Sequence, residues 1–146
     1  MQYAKSRYFK IEELMPPDVF KRYGEQCWMF LNPLLILSID ALRELYNDTI
    51  TVNDYLWGGN YTESGFRPSW SKTGGWLSQH RLGNAIDAKG RNKSKEEADR
   101  LRTLILSNRD KLPHITAIED GRIATTWAHL DVRNCSDNSR IWVVRP

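Results

Sequence analysis

Two stretches repeat apolar residues at helical spacing. Leu34, Leu35, Leu37, Ile39, Leu42, Leu45 and Tyr46 make a wide stripe with Asp40, Arg43 and Glu44 outside it, which predicts a helix ending near Asn47. Asn32 suits the N-cap, and Pro33 suits the first helical position, where its missing N–H costs nothing. Ala98, Leu101, Leu104 and Ile105 mark a second helix reaching about Asn108, opened by Ser94 and Glu97 as a capping box. A shorter helix is expected from Asp18 as its cap to Tyr23, closed by Gly24. Tyr8 to Leu14 alternates only weakly before Pro16-Pro17 and reads as an extended arm or a short helical turn.

Strand patterns fill much of the remainder. Thr49 to Asn53 is rich in β-branched residues, Ala85 to Ala88 stops at Gly90, and Ile115 to Glu119 is followed by Asp120-Gly121, a strong hairpin signal. Ile123 to Val132 is then the return strand, and Ile141 to Val144 a last short one. Between Trp57 and Trp76 the chain is rich in Gly, Ser and Trp without periodicity, and a loop of that length is more often functional than idle. The expected architecture is α+β: one domain over residues 1–146, with a small antiparallel sheet packed on two main helices.

Composition changes this picture little. The length of 146 residues suffices for a sizeable core. The net charge of +3 and the absence of a Lys/Arg block give no case for nucleic acid. No apolar run is long enough for a membrane span, and the N-terminus lacks the apolar stretch of a signal peptide, so a protein made in the cytoplasm is expected. Cys27 and Cys135 form neither a disulfide framework nor a cysteine metal site, and whether they pair is left open.

The chemistry concentrates in two places. Ser78-Gln79-His80-Arg81-Leu82-Gly83-Asn84-Ala85-Ile86-Asp87 holds an imidazole and a carboxylate, both competent zinc ligands. A catalytic zinc site usually has three protein ligands and an open position, and His129 is the candidate for the third. Side chains alternate along a strand, so Trp127, His129 and Asp131 share one face of the return strand opposite the apolar Ala128, Leu130 and Val132. A peptidase also needs a base and an oxyanion donor. Glu119 is the candidate base, with Asp131 and His114 as alternatives, and Arg67 is the candidate for a carbonyl or a substrate carboxylate. A tight turn at Asp120-Gly121 would leave Glu119 about seven residues from His129, too far for direct base catalysis.

Ser78-x-His80-x-x-Gly83-x-Ala85-x-Asp87 followed by Trp127-x-His129 resembles the zinc D-alanyl-D-alanine carboxypeptidase family, which includes phage endolysins. Ser64-Gly65-Phe66-Arg67 is similar to that family's Ser-Gly-Tyr-Arg segment, and the Phe9 to Leu14 arm to the opening of its shorter members. The resemblance implies a hedgehog-like α+β fold, one Zn2+ held by His80, Asp87 and His129, and hydrolysis of stem-peptide bonds in bacterial peptidoglycan. Ser78, Arg67, Trp127 and Asp131 are then the candidate substrate contacts. Several members carry a catalytic Glu three residues before the final His; here that position is Thr126, which cannot act as a base. The expectation is a monomeric D,D-carboxypeptidase or endolysin-type endopeptidase, with neither membrane nor nucleic-acid partner. It would be a phage product reaching the wall through lysis machinery or in the virion. The alternative is a non-hydrolytic zinc-binding wall-binding or virion module of the same fold.

Overall fold

The structure, a computed structural model, describes residues 2–137 and 139–146. The chain is α+β, with three helices and a four-stranded mixed sheet. Helix α1 spans Pro17–Tyr23, α2 Pro33–Tyr46 and α3 Lys95–Ser107. Strands β1 Ala85–Ala88, β2 Ala117–Glu119, β3 Ala128–Asp131 and β4 Trp142–Val144 lie in the order β1-β3-β2-β4. The sheet is not wholly antiparallel: β3 runs antiparallel to β1 and β2, but β4 pairs parallel with β2. Between β3 and β4 the chain returns to the end of the sheet at which β2 begins, which sets the two strands in the same direction.

Helix α2 starts as its cap predicts, with the Asn32 side chain accepting the Leu34 N–H at 2.9 Å. Its buried face is Leu35, Ile36, Ile39, Leu42 and Tyr46, while Leu34 and Leu37 are exposed. Asp40, expected outside, is buried because the N-terminal arm folds over it: its carboxylate accepts the Ser6 hydroxyl and the Arg7 N–H. Asp18 lies inside the first turn of α1 rather than at its cap and accepts the Trp70 indole N–H at 3.0 Å. Ser94 caps α3 through the Glu97 N–H, but the box does not close, since Glu97 takes the Tyr46 hydroxyl and Asn92 takes the Ser94 N–H. Lys10 to Leu14 holds a 3₁₀ turn over Ile11–Glu13.

Two strand expectations are corrected. Thr49 to Asn53 makes only an isolated bridge between Thr51 and Lys89. The polar groups of Asn53 are drawn elsewhere, its N–H to the Glu13 carbonyl and its amide to Met15 and Ser64. No tight hairpin forms at Asp120-Gly121: the chain makes a helical turn in which the Ile123 and Ala124 N–H groups reach the Asp120 carbonyl, and β3 begins only at Ala128. Buried Arg102 of α3 holds that wide connection, donating to the carbonyls of Ala124 and Trp127 at 2.8 Å each.

Register separates the two faces of the sheet. Ile86, Leu130 and Ile118 sit level across β1, β3 and β2 and join the core beneath α2 and α3 with Leu35, Leu42, Leu101 and Ile105. Asp87 and His129, also paired, face the other way, toward the irregular segment 53–84. Burial of the apolar face fixes the register, because a slip of one residue would exchange the two faces.

Candidate metal centre

The loop bearing His80 is tied down before the ring is placed. Gly83 has φ +69°, and a Cβ there would stand 1.8 Å from the Phe30 carbonyl oxygen, so only glycine lets this turn close on the start of α2. The Asn32 amide donates to the Asn84 side chain, which in turn donates to Gln79. The Arg67 N–H bonds the His80 carbonyl at 3.2 Å, and His80 Nδ1 lies 2.7 Å from the Gly65 carbonyl oxygen. Gly65 is pressed against Leu14, where a Cβ would meet a backbone oxygen at 2.2 Å. The Ser-Gly-Phe-Arg segment thus carries the carbonyl that orients His80.

Three buried ligand atoms converge. His80 Nε2 is 3.2 Å from His129 Nδ1, His129 Nδ1 is 3.0 Å from Asp87 Oδ1, and His80 Nε2 is 3.3 Å from that same oxygen. A tetrahedral ion with bonds of about 2.0–2.1 Å sets its ligand atoms about 3.3 Å apart, close to this triangle. His80, Asp87 and His129 can bind a metal ion.

The outer contacts fix the protons. The Gly65 carbonyl only accepts, so His80 carries hydrogen on Nδ1 and leaves Nε2 bare. His129 Nε2 lies 3.1 Å from Asp131 Oδ2, which assigns its hydrogen to Nε2 and leaves Nδ1 bare. Two ring lone pairs and a carboxylate oxygen therefore face one point, an arrangement that repels itself unless a cation stands there. In the metal-free chain a proton serves: burial alone would lower the His129 pKa, but hydrogen bonds to Asp131 and Asp87 outweigh it and push it up to about 9. Burial would likewise raise Asp87, yet the hydrogen bond from protonated His129 holds it well below the usual carboxylate range. Asp131 is also depressed, since hydrogen bonds from Arg133 and His129 overcome its burial.

No family model, curated protein or solved structure matches this chain.

The triangle opens on a cavity of about 450 Å³, within the usual range for small-ligand pockets. Arg67, Ser78, Glu119 and Trp127 line it with the three ligands. Glu119 is not seven residues away: it directly follows the Ile118–Leu130 pair of the neighbouring strand and lines the same cavity as His129. Its negative charge contributes to the raised His129 pKa. Its carboxylate has no hydrogen bond or ion pair among the described residues, though its charge also acts on Arg133.

Arg67 is more committed than its candidate role assumes, donating to the Glu63 carbonyl at 2.7 Å and to Asp87 Oδ2 at 3.0 Å. Asp131 is fully buried between His129 and Arg133 and is not available as a base. His114 stands apart, lining a separate 340 Å³ cavity that also contains Cys135. Thr126 does not line the metal cavity. Both cysteines are free.

Two cations at the site carry no motif in the sequence. Lys89 is buried, donating to the carbonyls of Val52 and Asp87 and to the Ser64 hydroxyl at 2.8–3.1 Å, so it fixes the backbone that carries a ligand. Burial lowers its pKa to about 8. Arg133 forks onto Asp131 through Nε at 2.8 Å and Nη2 at 2.5 Å and lines the cavity. Its place two residues after Asp131, on the same strand face, was the one available clue.

Proposed function

We propose that this chain is a zinc-dependent peptidase with a hedgehog-like fold that hydrolyses a stem-peptide bond of bacterial peptidoglycan. The convergence of two bare imidazole nitrogens and a carboxylate oxygen on one point, open to a cavity, carries the reading. Two nitrogens and one oxygen in a near-tetrahedral triangle favour zinc, and outer hydrogen bonds on both imidazoles are what such ligands ordinarily have. The choice of peptidoglycan rests on the resemblance carried by the His80–Asp87 motif and by Trp127-x-His129.

A zinc ion there supplies Lewis acidity for a carbonyl and lowers the pKa of water. The protein does the rest. Glu119, on the cavity wall with His129 and without a hydrogen-bond partner among the described residues, accepts a proton from the attacking water and passes it to the leaving amine. Arg67 holds the outer oxygen of Asp87, which keeps the inner oxygen aimed at the ion. Asp131 keeps His129 in its ligating tautomer. Ser78 and Trp127, on the cavity wall, are placed to touch the peptide. The enzyme acts as a monomer and is a phage product that meets the wall after lysis or from the virion.

The test is release of new amine groups from purified peptidoglycan by protein loaded with zinc, treated with EDTA, and reloaded. The reading predicts activity that disappears with the metal and returns with it. Zinc bound at one per chain with no hydrolysis would leave the non-hydrolytic wall-binding or virion module instead.

A further inference from the structure

Two guanidiniums line the metal cavity, and they are not equivalent. The Arg67 side chain is only 11% exposed, with Nε on the Glu63 carbonyl and Nη2 held by Asp87 of the metal triangle itself. The Arg133 side chain is 36% exposed. It turns its Nε–Nη2 edge to Asp131, while Nη1 has no hydrogen-bond partner among the described residues. The Nη1–Nη2 edge is therefore left over, on the wall that also carries Glu119, His129 and Trp127. The inner edge is pinned by a fully buried carboxylate, so the planar group is held in one orientation before any ligand arrives. A fixed guanidinium edge matches a carboxylate with two parallel N–H···O bonds.

We propose that Arg133 is the anion-recognising residue of this cavity and that the peptide bound there presents a carboxylate to its outer edge. The inference deepens the peptidase reading and rests on it for the identity of the ligand as a peptide. The chain of contacts from the metal triangle through His129 and Asp131 puts Arg133 beyond the reacting centre. It thus sets specificity and does not take part in bond cleavage. The carboxylate is either the C-terminus of the peptide or an acidic side chain; both offer the same planar anion.

Equilibrium binding of four short peptides separates these sources. One pair is N-acetyl-tri-D-alanine as free acid and as C-terminal amide. The other is an amidated tripeptide with Glu or Gln at the centre. Each pair is measured on the wild type, Arg133→Gln and Arg133→Lys, in zinc-loaded and EDTA-treated protein. The wild type should favour the carboxylate member of one pair by about tenfold, and Arg133→Gln should abolish that preference. The pair that responds identifies the source. Arg133→Lys, which keeps the charge but loses the fork, should retain only part of the preference. It decides the matter should Arg133→Gln fail to fold. Equal affinities within both pairs in the wild type, or an unchanged preference in folded Arg133→Gln or Arg133→Lys, would overturn the subsite. A protein that binds no zinc yet shows the Arg133-dependent preference would sink the peptidase reading and leave the subsite standing.

Discussion

Replacing Asp131 by Asn tests whether the residues behind His129 tune the metal site. Asp131 is fully buried and accepts from His129 Nε2, from the Arg133 backbone N–H and from the Arg133 fork. Asn keeps the shape and removes the charge. His129 Nε2–H then donates to a neutral oxygen, so its Nδ1 becomes a poorer ligand. Loss of such an outer partner typically weakens metal binding about 10–100-fold, or about 1.4–2.7 kcal/mol. The Arg133 cation also loses its carboxylate. Charge-assisted bonds of this kind contribute about 1.5–3 kcal/mol, and with the Arg133 side chain 36% exposed a value near 1 kcal/mol is expected. The assay is zinc competition against a chromogenic chelator, with thermal unfolding in EDTA beside it. The account predicts one zinc per chain, bound 10–100-fold more weakly, and a fall of a few degrees in the metal-free Tm. A zinc affinity within about threefold of the wild type would refute the claim that Asp131 governs His129 as a ligand.

Other outcomes follow from the same geometry. Glu119→Gln should keep zinc and lose hydrolysis by about 10²–10⁴-fold, read as amine release from peptidoglycan; near-normal rates would remove Glu119 as the base. In the metal-free protein His129 is raised from about 6.5 to about 9, a stabilisation of about 3 kcal/mol. That stabilisation is complete below pH 6.5 and lost as pH rises through 9, so the Tm in EDTA should fall across that window. Zinc affinity should rise over the same range as the competing proton leaves, and a pH-independent affinity would contradict the lone-pair argument. Gly83→Ala should cost more than about 2 kcal/mol in urea unfolding, because both the positive φ and the Phe30 carbonyl oppose a Cβ; an unchanged midpoint would mean that the His80 loop is not pinned there.

What could be read from the chain was what local chemistry writes into it. Asn32 with Pro33, and Ser94, announce their helices because a cap is a contact within one turn. The alternation through Ala128, His129, Leu130 and Asp131 separates core from site because a strand has only two faces. The rest depended on partners distant in sequence. Asp120-Gly121 carries a hairpin signal, but Arg102, some twenty residues earlier, captures the carbonyls of Ala124 and Trp127 and holds the connection wide. That single guanidinium changes where Glu119 falls relative to His129. Asp40 looked like a surface residue of α2 until Ser6 and Arg7 folded onto it. Lys89 and Arg133 carry no motif, since what defines each is the carbonyl or carboxylate it meets in three dimensions.

The most direct measurement is the zinc content of purified protein by metal analysis after dialysis, for the wild type, His80→Ala and Asp87→Ala, with circular dichroism to show that each is folded. The account predicts one zinc per wild-type chain and almost none in either variant. A folded wild type that takes up no zinc even when it is supplied, or variants that hold it as well as the wild type, would contradict the site at its centre.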